Sequence, residues 1–552
     1  MSAMAPQDAM IYWLSKRTRN DQFLLYCFTD GGRPTEELRA SVAERSARIV
    51  DLRVRLRELP ADLDYPSWVP CAFTAEQFVE HRLAKPDWSH LLDVLGDVLG
   101  TGMDAAVRPW RLHVFRGIVD APGAGKGPAL VAVLQMSHAL ADGRRASAIA
   151  RALFTEPQVA DGCDRRPVPG GDGIAEAVAH DSRGCVGAER VVVGGSGGAA
   201  GADGVDPTVV DDRPEPGAAG RCGVVPTQAM SPLFAQGRQV GSVAVAGALV
   251  IGSAVSARRQ AIGRSTCRTG ALIDSALGLL CLPVRLASTS VRGYQAFQAQ
   301  RRLAHLTDTG RLPPPGPEFA PSAVNRTTAH GVERHQARMI VRSAESMRIP
   351  GRTVTVVMLT AVSLALGRYL THRGEPALRL GAQVPMALPE LSIGREGDPR
   401  NNYRSLGVDL FVDEPDLRRR ADKIAAALTA RRLRARHPLL SAQDRVTATV
   451  PAPLLRRDID RYPLDTVPDS IAGHTVVSSV HRGPADLTFG DGRVRFSAGF
   501  PALGSVMHLT HGVHGLGDTV TISVHSDPAV LADVDFYTAL LASALDEVAA
   551  AH

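Results

Sequence analysis

The chain has 552 residues, 45% of them hydrophobic, enough to bury a large core in about two to four domains. Its formal net charge is +5, carried almost entirely by arginine, an excess too small for this length to argue for nucleic-acid binding. Seven scattered cysteines without a CxxC pair argue against a disulfide framework or a zinc site and fit a reducing compartment.

The opening residues lack a basic stretch ahead of an apolar core, so no secretory signal is expected there. Pro34–Leu59 carries apolar residues at helical spacing with Glu and Arg opposite, and predicts a helix. Trp88–Gly100 predicts a second, shorter one. Trp110–Ile118 alternates like a strand, and the nearly all-apolar Pro128–Leu140 suits a strand buried on both faces. Gly143–Phe154 then returns to helical spacing. Residues 1–155 thus read as one compact α/β half.

Between Glu156 and Val225 the chain turns rich in Gly, Pro, Asp and Ser, which predicts a disordered insertion, since such a segment buries too little apolar surface to offset its conformational entropy. Val240–Ala257 is uncharged and just reaches the length of a membrane span. Its Ala, Gly, Ser and Val content favours a buried or interfacial helix. Ala271–Ala287 is also helical, and the connector 156–320 ends near the break at Arg311–Pro321.

Residues 321–552 form a second α/β half. Arg352–Gly374 predicts a buried helix, ended by His372, Arg373 and Gly374. Ala377–Leu388, Tyr403–Val412, Gly492–Phe500 and Thr519–Asp527 read as strands. Asp416–His437 predicts a basic amphipathic helix with a solvated face, and Ala532–Ala551 a C-terminal helix. "HLTHGVH" (His508–His514) reads as a polar strand-loop edge, with no metal site assigned.

The chemistry concentrates in "VAVLQMSHALADGRR" (Val131–Arg145). A buried strand delivers His138 to its end, and a short turn leads to Asp142, Gly143 and a helix. Asp142 can cap that helix and fix the loop, Gly143 permits close approach, and His138 can take a proton near neutral pH. With no second titratable group in the motif, the pattern suits direct attack of an acceptor on an activated acyl group, without a covalent enzyme intermediate. His-x-x-x-Asp-Gly arises by chance in roughly one chain in ten of this size, so a strand-end histidine before a capped helix is the competing reading.

Further segments resemble, in order, the bacterial wax ester synthase/diacylglycerol acyltransferases of the CoA-dependent acyltransferase superfamily, whose motif is HHxxxDG. They are "APQDAMIYWL" (Ala5–Leu14), "FVEHRL" (Phe78–Leu83), "MDAAVRPWRLHVFRGI" (Met103–Ile118) with Trp110 at the family's tryptophan, "PSAVN" (Pro321–Asn325), "GRTVTVVML" (Gly351–Leu359), "NNYRSLGVDL" (Asn401–Leu410) and "VVSSVHRGP" (Val476–Pro484). The resemblance implies two chloramphenicol-acetyltransferase-like α/β halves with a tunnel between them. It implies an O-acyltransferase using acyl-CoA as co-substrate, no cofactor, and diacylglycerol or a long-chain alcohol as acceptor. His138 would be the general base and Asp142 a structural residue, with Ser137, Thr355, Trp110 and Asn402 near the substrates. A cytoplasmic protein, peripheral at a membrane or lipid-droplet surface, is expected.

The sequence also departs from that pattern. Ser137 replaces the first motif histidine, Thr355-Val356 an Asn-Asp pair, Arg111 the acidic residue after the tryptophan, and Ser479 an asparagine. These changes mark a divergent member. They keep two alternatives open, namely transfer to another alcohol or amine, as in condensation domains, and an inactive acyl-CoA- or lipid-binding relative.

Overall fold

The computed structural model describes residues 2–123, 125, 127–155, 267–327, 334–376, 378–389 and 398–552. The Gly-rich insertion and the apolar segment Val240–Ala257 lie outside the described residues.

In chain order the elements begin with β1 (Ser2–Ala3), α1 (Pro6–Ser15), β2 (Gln22–Thr29), α2 (Thr35–Ser46), β3 (Val54–Arg57), β4 (Ser67–Pro70) and β5 (Phe78–His81). Next come α3 (Trp88–Leu99), β6 (Trp110–Ile118), β7 (Ala129–Met136), α4 (Gly143–Phe154), α5 (Cys267–Asp308), β8 (Gln336–Ser343) and α6 (Val354–His372). The remainder is β9 (Gly381–Ala387), β10 (Tyr403–Asp409), α7 (Leu417–Ala435), α8 (Ser441–Thr447), α9 (Ala452–Asp460), β11 (Thr475–His481), β12 (Thr488–Phe489), β13 (Gly492–Phe500), β14 (Leu509–Leu516), β15 (Thr519–Ser526) and α10 (Val534–Ala550).

Two six-stranded mixed sheets carry the fold, in the orders β12-β13-β2-β7-β6-β5 and β10-β9-β11-β14-β15-β8, beside a small β1-β4-β3 sheet. The first sheet is covered on one face by α1, α2 and α4 through Trp13, Leu38, Tyr26, Phe28 and Phe154. Its other face packs Leu25, Cys27 and Phe115 against Leu91 and Leu95 of α3. The second sheet packs against α6, α7 and α10, with Leu359, Leu366, Ile424 and Leu541 at the centre. β12 and β13 come from the C-terminal part of the chain yet complete the N-terminal sheet, with Ser497 opposite Tyr26 and Gly499 opposite Leu24. The cut at residue 321 therefore follows chain order, and the sheets themselves are interleaved.

Local chemistry explains the ends of the helices. Asp87, Asp142, Thr353, Asp416 and Asp533 each accept from a backbone N–H in the first turn of the helix that follows, satisfying a donor with no partner inside the helix. α6 has the length and apolarity of a membrane span, but 72% of its most apolar stretch is buried inside the protein, so it is a core helix.

Two expectations are corrected. The helix read over Pro34–Leu59 stops at Ser46. Val54-Arg55-Leu56-Arg57 alternates with period two and pairs with β4, so strand pairing wins over helical spacing there. The "HLTHGVH" histidines do not line a polar edge. They sit on or next to β14, which lies between β11 and β15 and is therefore covered on both sides. His511 bonds the Thr475 hydroxyl at 2.9 Å and the Tyr537 hydroxyl at 2.8 Å. Among the described residues no group of His, Cys, Asp and Glu is arranged to hold a metal.

Burial has a consequence for pH. It holds the imidazoles of His113, His335 and His474 down to about 4, and those of His511 and His525 to about 3. An unfolded chain takes up these protons near the ordinary value of about 6.5, whereas the folded chain resists. Their contribution to stability is thus complete above that value and is lost as pH falls below it. Asp8 and Asp21, raised by burial to about 6 and about 7, act in the opposite direction but are fewer. The urea midpoint is accordingly expected to fall between pH 7.5 and pH 5. A midpoint that stays level or rises would overturn this.

Candidate active site

β7 is buried along its whole length and lies between β2 and β6, so its end is rigidly placed. The chain leaves it at Ser137, whose N–H donates to Pro109 O at 2.8 Å. A tight turn follows, closed by Leu140 N–H to Ser137 O at 2.9 Å. Asp142 then caps α4. One carboxylate oxygen accepts from Arg145 N–H at 2.9 Å, and the other accepts from Asn402 N–H at 3.2 Å. The aspartate thereby fixes the loop to the helix and to the entry of β10 at once.

His138 occupies the apex of this turn, where the N-terminal half meets the segment before β10. Its carbonyl accepts from Asn401 Nδ2 at 2.9 Å, and its ring lies 6.0 Å from that of Tyr403. The residue keeps partial contact with solvent, yet Nδ1 is sealed off without a hydrogen-bond partner, as is Oδ1 of Asn401. Burial holds its pKa below the ordinary value, while its own carbonyl, Asn401 and Asp142 pull the other way. The imidazole is therefore neutral at pH 7 and able to accept a proton.

A supporting layer surrounds the turn. Asp8 of α1, 1% exposed, accepts from Arg400 N–H at 2.7 Å, Asn401 N–H at 3.0 Å and Asn401 Nδ2 at 2.9 Å. Asp51 takes both Arg145, through Nε at 3.0 Å and Nη2 at 2.7 Å, and Arg400, through Nη1 at 2.7 Å. Arg400 also stacks on Trp68 at 4.4 Å. These two arginines hold the Asp51 carboxyl below its usual range. A helix near the N-terminus, the motif loop and the segment Arg400–Asn402 are thus one polar network.

The other sequence candidates are placed as follows. Ser137 is buried beside His138, its hydroxyl unpartnered. Gly143 is the first residue of α4 and is exposed, and a side chain there would meet only Val480, at 3.8 Å. Trp110 is fully buried, donating from Nε1 to Leu52 O at 3.0 Å and stacking on Phe73, so it is a packing residue of β6. Thr355 lies in the first turn of α6, partly exposed, with no side-chain hydrogen bond among the described residues. The side chain of Asn402 donates to Pro389 O at 3.0 Å, and it is Asn401 next to it that reaches His138. Asp8, Asp51, Arg145, Arg400 and Asn401 were not singled out from sequence. The "APQDAM" and "NNYRSL" segments contained two of them, Asp8 and Asn401, but only the fold shows that they converge.

Residues 4–260 match the family model described as the wax ester synthase/diacylglycerol acyltransferase catalytic domain. Among solved structures, the wax ester synthase/diacylglycerol acyltransferase from Marinobacter aquaeolei VT8 aligns with a TM-score of 0.54 at 15% identity, over 99% of this chain and 98% of that one. The first condensation domain of the CDA synthetase aligns with a TM-score of 0.51 at 12% identity, over 100% and 96%. No curated protein matches the sequence. Paired mixed sheets, with strands of the C-terminal part interleaved into the N-terminal sheet, give the chain the chloramphenicol-acetyltransferase-like fold of these structures. The likeness to the wax ester synthase/diacylglycerol acyltransferase family in sequence is carried by residues 4–260, and the likeness in fold extends over the rest of the chain.

Proposed function

We propose that the protein transfers a fatty acyl group from acyl-CoA to the hydroxyl of diacylglycerol or of a long-chain alcohol, with His138 as general base. The observation that carries this reading is the state of His138: neutral through burial, fixed at its carbonyl by Asn401, and partly open to solvent with Nδ1 sealed inside, so that Nε2 is the nitrogen we assign to meet an acceptor. In the reaction Nε2 takes the acceptor's hydroxyl proton as the oxygen attacks the thioester carbonyl carbon. The C–S bond then breaks, and the departing CoA sulfur takes the proton back from the imidazolium. The developing oxyanion needs hydrogen-bond donors, and the unpartnered Ser137 hydroxyl beside His138 is the candidate. Donor and acceptor would approach from opposite sides through a tunnel between the halves, with no cofactor besides the co-substrate. Lipid acceptors reside at membranes, so the protein would work in the cytoplasm at a membrane or lipid-droplet surface.

The basic helix α7 is a weak membrane contact in this picture. Arg420 is buried on Ser363 and Glu414, Arg431 bonds Pro314 O, and Arg434 donates to Pro313 O at 2.7 Å.

The test supplies labelled acyl-CoA with 1,2-diacylglycerol, hexadecanol and an amine acceptor in parallel. Ester formed with either of the first two is the expected result. Amide alone would move the assignment to a condensation-type acceptor. Acyl-CoA bound without turnover on any acceptor would support the inactive, lipid-binding alternative.

A further inference from the structure

β11 ends at His481, and the next residue turns inward. Arg482 is 7% exposed, its backbone N–H held by Gly515 O at 2.8 Å. Nε and Nη1 of its guanidinium are buried without a hydrogen-bond partner, and no carboxylate pairs with it among the described residues. Its favourable neighbour is Tyr26 of β2, which shares a side-chain hydrogen bond with the guanidinium and whose ring centroid lies 5.2 Å from it. An arginine cannot shed its proton to escape this setting. One neutral phenol returns less than the desolvation of the guanidinium costs, and the net effect of the setting still disfavours the charge.

The surroundings are polar and equally unsatisfied. Ser497 of β13 sits opposite Tyr26, fully buried, with a free hydroxyl. His514 of β14 is 5% exposed, and its Nδ1 has no partner. Burial and the adjacent Arg482 keep this imidazole neutral. Between them lies Gly499. A Cβ there would fall 2.6 Å from Arg482 Nη2 and 2.8 Å from His514 Nε2, so the backbone is kept bare where these side chains converge. Native interiors rarely leave a cation without a counter-charge and with two N–H groups unpaired beside two further unpaired polar groups, without a ligand or water to pair them.

The position connects this cluster with the motif turn. Val480, two residues before Arg482, is the neighbour of Gly143 at the start of α4. Two extended residues span roughly 7 Å.

We infer that Arg482, Ser497 and His514 form an interior subsite for one anionic oxygen group, a phosphate or a carboxylate. The guanidinium supplies charge and an N–H donor, the serine hydroxyl a second donor, and His514 a donor in its Nδ1–H tautomer. That the anion belongs to a substrate, either a CoA phosphate or an acidic group on the acceptor, rests on the acyl-transfer reading. The anion site itself does not.

Thermal unfolding of the full chain tests it with three probes: inorganic phosphate, CoA and a hydroxy fatty acid, each against chloride at equal ionic strength. Phosphate at ten times its dissociation constant should raise the wild-type midpoint by roughly 2 °C. Arg482→Met should lose that rise while melting no lower than the wild type, because a buried unpaired charge has been removed. Ser497→Ala, which deletes one hydroxyl, should weaken it and serves if the first variant fails to fold. A CoA shift lost in the variants identifies the donor as the source of the anion, and a hydroxy-acid shift lost in them identifies the acceptor. Equal shifts in wild type and variants, or no shift with any probe, overturn the inference. Loss of the phosphate shift in a protein that acylates nothing would leave the subsite standing and sink the catalytic reading instead.

Discussion

Replacing His138 by alanine is expected to lower kcat/KM for acyl transfer by about 10²–10⁴-fold, the usual worth of a general base, with little change in stability. The fold should survive because the side chain holds nothing in place. Its Nδ1 makes no hydrogen bond of good geometry, and the carbonyl that Asn401 grips belongs to the backbone and remains in the variant. The pH profile separates a base from a bystander. In the wild type the rate should be level around pH 7 and fall on the acid side, as the imidazole takes up a proton. Since burial lowers its pKa, that limb lies below the ordinary histidine value of about 6.5. His138→Ala should show a low residual rate without the limb. A variant that keeps the wild-type rate, or loses rate but retains the same acid limb, would remove His138 from the mechanism. Ser137, at the position of a second histidine in the resembling family, bears on the same experiment. With one histidine in the turn, a single acid-side transition is expected.

The motif turn was legible in the sequence because each of its parts is local. An apolar run marks a doubly covered strand, and Asp142 followed by Gly143 marks a capped helix start. The structure has both, as β7 and α4. The strands Trp110–Ile118 and Gly492–Phe500 were readable for the same reason, by alternation. What surrounds the turn was not legible. Asp8 and Asn401 are 393 positions apart, and Asp51 and Arg400 are 349 apart, so no spacing rule links them. Asn401 and Asn402 are also indistinguishable by type. Which one faces His138 follows from the backbone direction entering β10, and that is set by pairing with β9. The passage of β13 into the N-terminal sheet is a matter of topology, invisible to periodicity. The buried histidines of β14 misled because histidine reads as polar, whereas an imidazole kept neutral and hydrogen-bonded packs as a core residue.

The second large effect is expected at Asp8, far from the motif in sequence. Asp8→Ala removes the shared acceptor of three N–H groups, those of Arg400, Asn401 and the Asn401 side chain. Each buried donor left without a partner costs about 1–3 kcal/mol, so a loss near 3 kcal/mol is a conservative expectation for the set. Part of the gross loss is returned, because desolvation raises the Asp8 carboxyl to about 6 and the native state near pH 7 holds it ionised at a cost. Asp8→Asn avoids that cost but turns an NH2 toward N–H donors, so it should fall between the wild type and Asp8→Ala. Function should follow through Asn401, whose Nδ2 bridges Asp8 and the carbonyl of His138. Once Asp8 is gone the imidazole is less firmly placed. kcat should drop by at least tenfold with KM for acyl-CoA nearly unchanged, and the acid limb assigned to His138 should move. A merely structural role would lower the amount of folded enzyme and leave kcat per folded molecule and the limb where they were. If Asp8→Ala retains wild-type stability, or loses stability while every folded molecule turns over normally with an unmoved limb, Asp8 does not position the base.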